Sequence, residues 1–434
     1  MAEINRAVKG TCDILPDDSY KWQEVEKFML ETSRLYGFKE IRVPVFEHTE
    51  VFNRSVGDTT DVVQKEMYTF DDKGGRSITL RPELTAGVVR SAVEKGLVNG
   101  ALPLKVCYIG GCYRYEKPQA GRLREFHQFG VECFGAGEPA ADAEVISLAK
   151  SVLNGLGVSK LSLQINSIGC PECRKKYHAA LKEFFEAQKD NLCETCKDRL
   201  DRNPMRILDC KSPVCSEIAK NAPVMVDFLC DDCANHFEGV KAHLNAMGIE
   251  YSVNPHIVRG LDYYTRTVFE FVSNSIGAQG TVCGGGRYDG LVSQMGGPAV
   301  PALGFGMGIE RLMLVLESEG VTLPEPKTCD LFISVVGSDA AVKACELCAK
   351  LRAEGFCAQS EISGRGLKAQ MRFANKIGAK FLVVLGDDEL NNNKAVLKDM
   401  SNSETKEVDL DKLTDALYEA LKNSALGALE NSIL

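Results

Sequence analysis

No run of apolar residues in this 434-residue chain approaches the ~20 that a membrane helix needs. A helical membrane span is therefore not expected. The opening stretch, MAEINRAVKGTCDILP, has no basic segment followed by an apolar one. It does not read as an export signal, and the expected location is the cytoplasm. Positive charge is not in excess either. The formal net charge is −9, which argues against broad nonspecific binding to nucleic acid. It leaves room for a local basic site that holds a defined RNA. No internal repeat is visible, and the glycine run in GGGRYDG fits neither the P-loop nor the dinucleotide pattern.

Cysteine, by contrast, is plentiful: the chain has 17. Without an export signal these read as reduced thiols, not as a disulfide framework. Apolar residues make up 44% and charged residues 26%, as in ordinary globular proteins. At roughly 150 residues per domain, the length suggests about three domains.

The pattern along the chain supports that division. Residues 19–36 carry apolar side chains at helical spacing, after Asp17 and Asp18. In IRVPVF, Ile41, Val43 and Val45 alternate as in a strand, and Pro44 marks an edge or an interface. Residues 104–116 and 124–134 read as two strands around EKPQAGRL, with a helix expected near 139–155. Residues 170–245 hold eight of the cysteines and little strand character, so they read as an insertion. Strand character returns at 267–274, and 302–318 reads as strand, glycine bend and helix. LPEPK is a linker candidate. From residue 328 to 421 strands alternate with helices as a small α/β domain, and 422–434 is expected to be a loose tail.

Several segments carry chemistry. In FHQFGVECF, strand alternation puts Phe126, Gln128, Glu132 and Phe134 on one face, with Gly130 between them. The neighbouring CYRYEKPQAGRLR is dense in arginine, with Arg114, Arg122 and Arg124. Guanidinium forks match phosphate oxygens, although a solvated hairpin with surface ion pairs fits the same residues. In TLRPELTAG, Glu83 and Thr85 suit either a substrate ammonium or a helix-capping box. VRGLDYYTRTVFEF places Arg259 before Tyr263 and Tyr264, which fits a pocket or an aromatic core. The glycines of GGGRYDG permit close backbone approach to a ligand, or a strained turn. GFGMGIERL sets Arg311 in the first turn of a helix, where it can face phosphate or solvent.

The joint order of these segments resembles the class II aminoacyl-tRNA synthetases, and closely the histidyl-tRNA synthetase family. GTCDILPDD and YGFKEIRVPVFEHTEVF look like the family's opening and motif 1. CYRYEKPQAGRLREFHQFGVECFG looks like motif 2, and ALGFGMGIERL like motif 3. TLRPELTAG, VRGLDYYTRTVFEF and GGGRYDGLV look like histidine-specific signatures. The resemblance spans about residues 4–421.

It implies an α+β catalytic domain over 1–325 with a mainly antiparallel sheet, a Cys-rich insertion at about 170–245, and a C-terminal α/β anticodon-binding domain over 328–421. It implies a homodimer through motif 1, and histidine, ATP with Mg2+, and histidine tRNA as ligands. Residue by residue, Arg114 would hold the α-phosphate and Phe126 would stack near adenine. Arg311 would meet the far phosphates. Glu83, Thr85 and Gln128 would hold the amino group of histidine, with Leu84 beside them. Glu132 and Tyr264 would read the imidazole, and Tyr263 would shape the pocket. Arg259 would neutralise charge at the reacting phosphorus. Such chemistry needs positioning and positive charge more than a covalent nucleophile. The alternative is a non-catalytic relative that regulates histidine biosynthesis. Such relatives usually lack the C-terminal domain and parts of the histidine signatures, and both are present here.

The cysteines leave two readings open. Cys170-x2-Cys173 followed by Cys193-x2-Cys196 fits a four-cysteine zinc site, and Cys210, Cys215, Cys230 and Cys233 add candidates. The resemblance carries no zinc requirement, and reduced buried thiols are the other reading.

Overall fold

The computed structural model describes residues 6–57, 60, 62–208, 210, 212–257, 261–273, 280–326 and 329–433. The chain divides into two compact units, Met1–Pro324 and Glu325–Leu434.

The first unit is built on an eight-stranded sheet. Its strands are β1 (Lys39–Glu40), β5 (Leu104–Tyr113), β6 (Glu125–Phe134), β7 (Leu161–Ser167), β8 (Ser252–Val253), β9 (Thr265–Ser273), β10 (Thr281–Arg287) and β11 (Ala302–Gly308). A separate three-stranded sheet holds β2 (Phe46–His48), β3 (Tyr68–Asp71) and β4 (Ser77–Leu80). In the large sheet the spatial order is β1-β5-β6-β11-β10-β9-β7-β8. Only the short edge pairs β1·β5 and β7·β8 are parallel; the other pairs are antiparallel. The expected α+β architecture is present.

Alternation along β6 separates structure from site. Phe129, Val131 and Cys133 point into a core shared with the helices Pro16–Leu35, Pro139–Gly155 and Ile309–Ser318. Burying each such Val or Phe contributes about 1.5–3 kcal/mol. Gln128, Gly130, Glu132 and Phe134 belong to the opposite face. Phe134 there joins a second core with Leu84, Val88 and Val89 of the segment entering and forming the helix Thr85–Glu94.

Two expectations need correcting in this unit. IRVPVF is not one strand: β1 ends at Glu40, β2 begins at Phe46, and the residues between them are irregular. Pro44 has no N–H to give a ladder, and the carbonyls of Val43 and Pro44 accept instead from Arg81 Nη1, at 2.8 and 3.2 Å. Of the two readings of GGG the strained turn is excluded, since it is the middle of β10. The insertion is helical, with helices at Pro171–Glu186, Glu194–Arg202, Pro213–Ala219 and Asp231–Ala246.

The second unit holds β12 (Cys329–Val335), β13 (Ala358–Ser360), β14 (Ala379–Leu385), β15 (Lys394–Asp399) and β16 (Thr405–Asp409), in the order β13-β12-β14-β15-β16. The first three are parallel and the last two antiparallel. The closing helix is Leu413–Ile433, so helix takes in most of the stretch expected to be loose. Among the described residues, no helix is long and apolar enough to cross a membrane.

Candidate active site

A cavity opens on the polar face of the large sheet. Glu83, Thr85, Arg114, Phe126, Gln128, Tyr263, Tyr264 and Arg311 all line it. Segments far apart in sequence thus meet at one place. Arg259 lies outside the described residues.

One end of the cavity is cationic. Arg114 donates through Nε to the Pro82 carbonyl at 2.7 Å, and its guanidinium sits 5.2 Å from the centre of the Phe126 ring. Arg311 donates to the carbonyls of Gly121 at 3.0 Å and Thr281 at 2.7 Å. Those bonds fix the direction of the guanidinium. Burial holds the Arg311 pKa below its ordinary value, and the charges of Arg122 and Arg114 push the same way. Like charges gathered in a half-buried place are costly unless an anion joins them. Glu116, buried, pairs with Arg122 and lies 3.9 Å from Arg114.

The other end is acidic and aromatic. Glu83 is buried and accepts from the amides of Thr85 at 3.0 Å and Ala86 at 2.7 Å. It therefore serves the start of the helix Thr85–Glu94 and also lines the cavity. Burial pushes its carboxyl up, while the Ala86 amide pulls the other way. Tyr263 and Tyr264 stack 4.7 Å apart at 42° and form a wall.

Two residues sit elsewhere than expected. Glu132 does not line the cavity. It is buried beneath it, accepting from Tyr108 at 2.8 Å and from Tyr288. Burial is the main reason its carboxyl is pushed up to about 8. Leu84 does not line the cavity either; it is buried in the core behind it. The zinc grouping is also corrected. Cys170 and Cys173 gather with Cys230 and Cys233, whereas Cys193 and Cys196 gather with Cys210 and Cys215.

Residues 10–312 match the family model Histidyl-tRNA synthetase, and residues 330–420 match the model Anticodon binding domain. The chain belongs to the histidyl-tRNA synthetase family. It is 55% identical over 414 residues to the histidine–tRNA ligase of Acetivibrio thermocellus, covering 95% of this chain and 99% of that one. It is 54% identical to the histidine–tRNA ligase of Caldanaerobacter subterraneus, covering 97% and 100%. The crystal structure of apo S. aureus histidyl-tRNA synthetase superposes with a TM-score of 0.81 at 42% identity, covering 95% of this chain and 99% of that one. The chain is thus an aminoacyl-tRNA synthetase.

Sequence reasoning missed some of what shapes this synthetase site. Tyr108 and Tyr288 are both buried, and both donate to Glu132. Tyr288 also meets Tyr263 edge-on, 5.5 Å between ring centres. Its neighbour Arg287 is wholly buried, and it pairs with Asp142 of the helix Pro139–Gly155 and with the Ala136 carbonyl at 2.9 Å. GGGRYDG therefore contributes a tyrosine to the site and an arginine to the scaffold. The period-2 pattern was the available signal: Tyr108 shares the parity of Val106 and Cys112 on a strand facing the motif 2 strand.

Proposed function

We propose that this cavity binds histidine at its acidic, aromatic end and ATP at its cationic end. Histidine and ATP would give histidyl-adenylate and pyrophosphate. The histidyl group would then pass to the terminal adenosine of histidine tRNA, releasing AMP. The observation that carries this reading is the convergence of Arg114, Arg122 and Arg311 in one cavity with Glu83 and the tyrosine wall.

In this reading Arg114 holds the α-phosphate, Phe126 stacks near adenine, and Arg311 meets the far phosphates. Glu83, Thr85 and Gln128 take the ammonium of histidine. Tyr263 and Tyr264 enclose the imidazole, and Glu132 acts from beneath. A carboxyl that titrates near neutral pH can share a proton with an imidazole, whose ordinary pKa is ~6.5. Arg259 keeps its role at the reacting phosphorus on the strength of the motif alone. Magnesium would enter with ATP and offset phosphate charge.

We further propose a cytoplasmic homodimer joined through motif 1, where Val45 and Phe46 are exposed although apolar. The second unit would bind the anticodon. The regulatory alternative finds no support in relatives matched along their whole length.

ATP–pyrophosphate exchange with each amino acid in turn tests the reading. Exchange that depends on histidine alone is expected. Exchange with a different amino acid, or none in folded protein, would overturn it.

A further inference from the structure

Cys170, Cys173, Cys230 and Cys233 bring one ligand atom each to within 4.8 Å of one another, and so do Cys193, Cys196, Cys210 and Cys215. Within them, the sulfurs of Cys170 and Cys173 are 3.5 Å apart, and those of Cys193 and Cys210 are 3.8 Å apart. Four thiolates around one zinc, with Zn–S bonds of ~2.3 Å, stand about 3.8 Å apart along the edges of a tetrahedron. Disulfide-bonded sulfurs would be at ~2.05 Å. The spacing excludes disulfides and fits four sulfurs around one small ion.

The backbone around the sulfurs favours thiolates. Cys170, Cys193 and Cys230 each stand immediately before a helix, at Pro171–Glu186, Glu194–Arg202 and Asp231–Ala246. The second cysteine of each pair lies in the first turn. Amide N–H groups there are unpaired within the helix and stabilise anions. Further amides already point at sulfur: Cys230 N–H donates to Cys173 at 3.1 Å, Cys193 N–H to Cys215 at 3.2 Å, and Ser212 N–H to Cys210 at 3.4 Å.

The sulfurs are also part of the insertion's core. Its core cluster has thirteen buried members, and four of them are cysteines. A core that thin is marginal without cross-links or a metal. Soft, tetrahedral, four-sulfur sites select zinc among the common divalent ions.

We propose that the insertion is a two-zinc module, with one zinc on Cys170, Cys173, Cys230 and Cys233 and a second on Cys193, Cys196, Cys210 and Cys215. The first closes the module at its root, where the chain leaves and re-enters the catalytic unit. The second organises its far part. Between them they hold two arginines against the tyrosine wall of the cavity. Arg174, one residue after Cys173, donates to the Tyr264 carbonyl at 3.2 Å, and Arg206 pairs with Asp262 at 2.8 Å. The zinc ions are structural, and no chemical step passes through them.

Elemental analysis and native mass spectrometry of the full chain test this, after purification under reducing conditions without chelator. Two zinc ions per chain are expected. Cys210→Ser and Cys230→Ser should each keep one, and the double variant none. Cobalt alone, added to chelated and refolded protein, should give thiolate-to-metal absorption at two equivalents. One zinc per wild-type chain would overturn the two-site assignment. No zinc and no uptake on titration with zinc, with all eight thiols open to alkylation or linked as disulfides, would overturn the module altogether. The metal count does not depend on which amino acid is activated, so it stands or falls separately from the proposed reaction.

Discussion

Gly304 on β11 lies directly opposite Glu132 on β6, and the space its Cβ would fill is already occupied by the Glu132 carboxylate. Gly306, opposite Gly130, likewise leaves room for Gln128, whose Nε2 would be 2.6 Å from an added Cβ. The glycines of motif 3 are thus the room into which two side chains of motif 2 fit.

Gly304→Ala should therefore damage the floor of the site. The added methyl also meets the Val131 carbonyl, which cannot rotate away. Overpacking of this kind costs about 1–3 kcal/mol. We expect a lower denaturation midpoint and a KM for histidine raised at least several-fold, with the KM for ATP changed less. Unchanged stability and histidine KM would show that the strands give way easily.

Glu132→Gln should separate wild type and variant in a pH-dependent way. Glutamine mimics the protonated carboxyl. The folded-state pKa of Glu132 is raised from 4.5 to about 8. A raised carboxyl contributes stability below its unfolded value and loses it as pH rises through the folded value. The variant should thus gain on wild type as pH rises from about 5 to about 9, read as the difference between their melting temperatures. Its histidine KM should rise at every pH. A pH-independent difference in melting temperature would mean that Glu132 is ionised throughout the range.

Arg311→Ala should act on the nucleotide. Removing a preorganised cation from a developing charge costs about a hundredfold or more in rate. Exchange should fall on that scale, with a raised KM for ATP and a nearly normal KM for histidine. Arg311→Lys should recover only part, because the ammonium cannot make both carbonyl contacts of the guanidinium. A variant with normal ATP dependence would remove Arg311 from the nucleotide end.

Arg287→Met should unfold more easily without being a catalytic lesion. It leaves buried Asp142 with only the His236 ring, at 3.2 Å, as a side-chain partner, and breaking a buried pair costs about 3–5 kcal/mol. Adding Asp142→Leu should restore much of the loss, as chemical denaturation would show. A single-variant loss below about 1 kcal/mol would mean that water reaches the pair.

Deleting the chain from residue 328 onward should spare most histidine-dependent exchange and severely weaken tRNA charging, since distal binding energy positions the acceptor end. Equal loss of both activities, in a fragment of unchanged oligomeric size, would count against the division of labour.

Much of the fold and site was legible in the chain itself. Arg114, Gln128 and Arg311 sit in motifs whose spacing survives without coordinates, and the helix at 139–155 matches Pro139–Gly155. What was not legible depends on register and on distant partners. Tyr288 reaches Glu132 across two strand pairings, since Gly286 two residues before it stands opposite Gly304, which stands opposite Glu132. Alternation gives the face of Glu132 but not its depth, so its burial beneath the cavity was not readable. The cysteine pairs were matched by nearness in sequence, whereas the helices of the insertion bring Cys170 to Cys230 across the whole module.

The two cysteine groups are nested. Every member of the Cys193 group lies between Cys173 and Cys230, inside the span the other group encloses. That order has a kinetic meaning. During synthesis the inner loop is complete, and can be closed, while the outer one still lacks its last two cysteines. Its closure is also the cheaper in chain entropy, because it is shorter. The insertion can therefore be assembled from the inside outward, and its last cysteine is made before β9, β10 and β11 of the catalytic sheet.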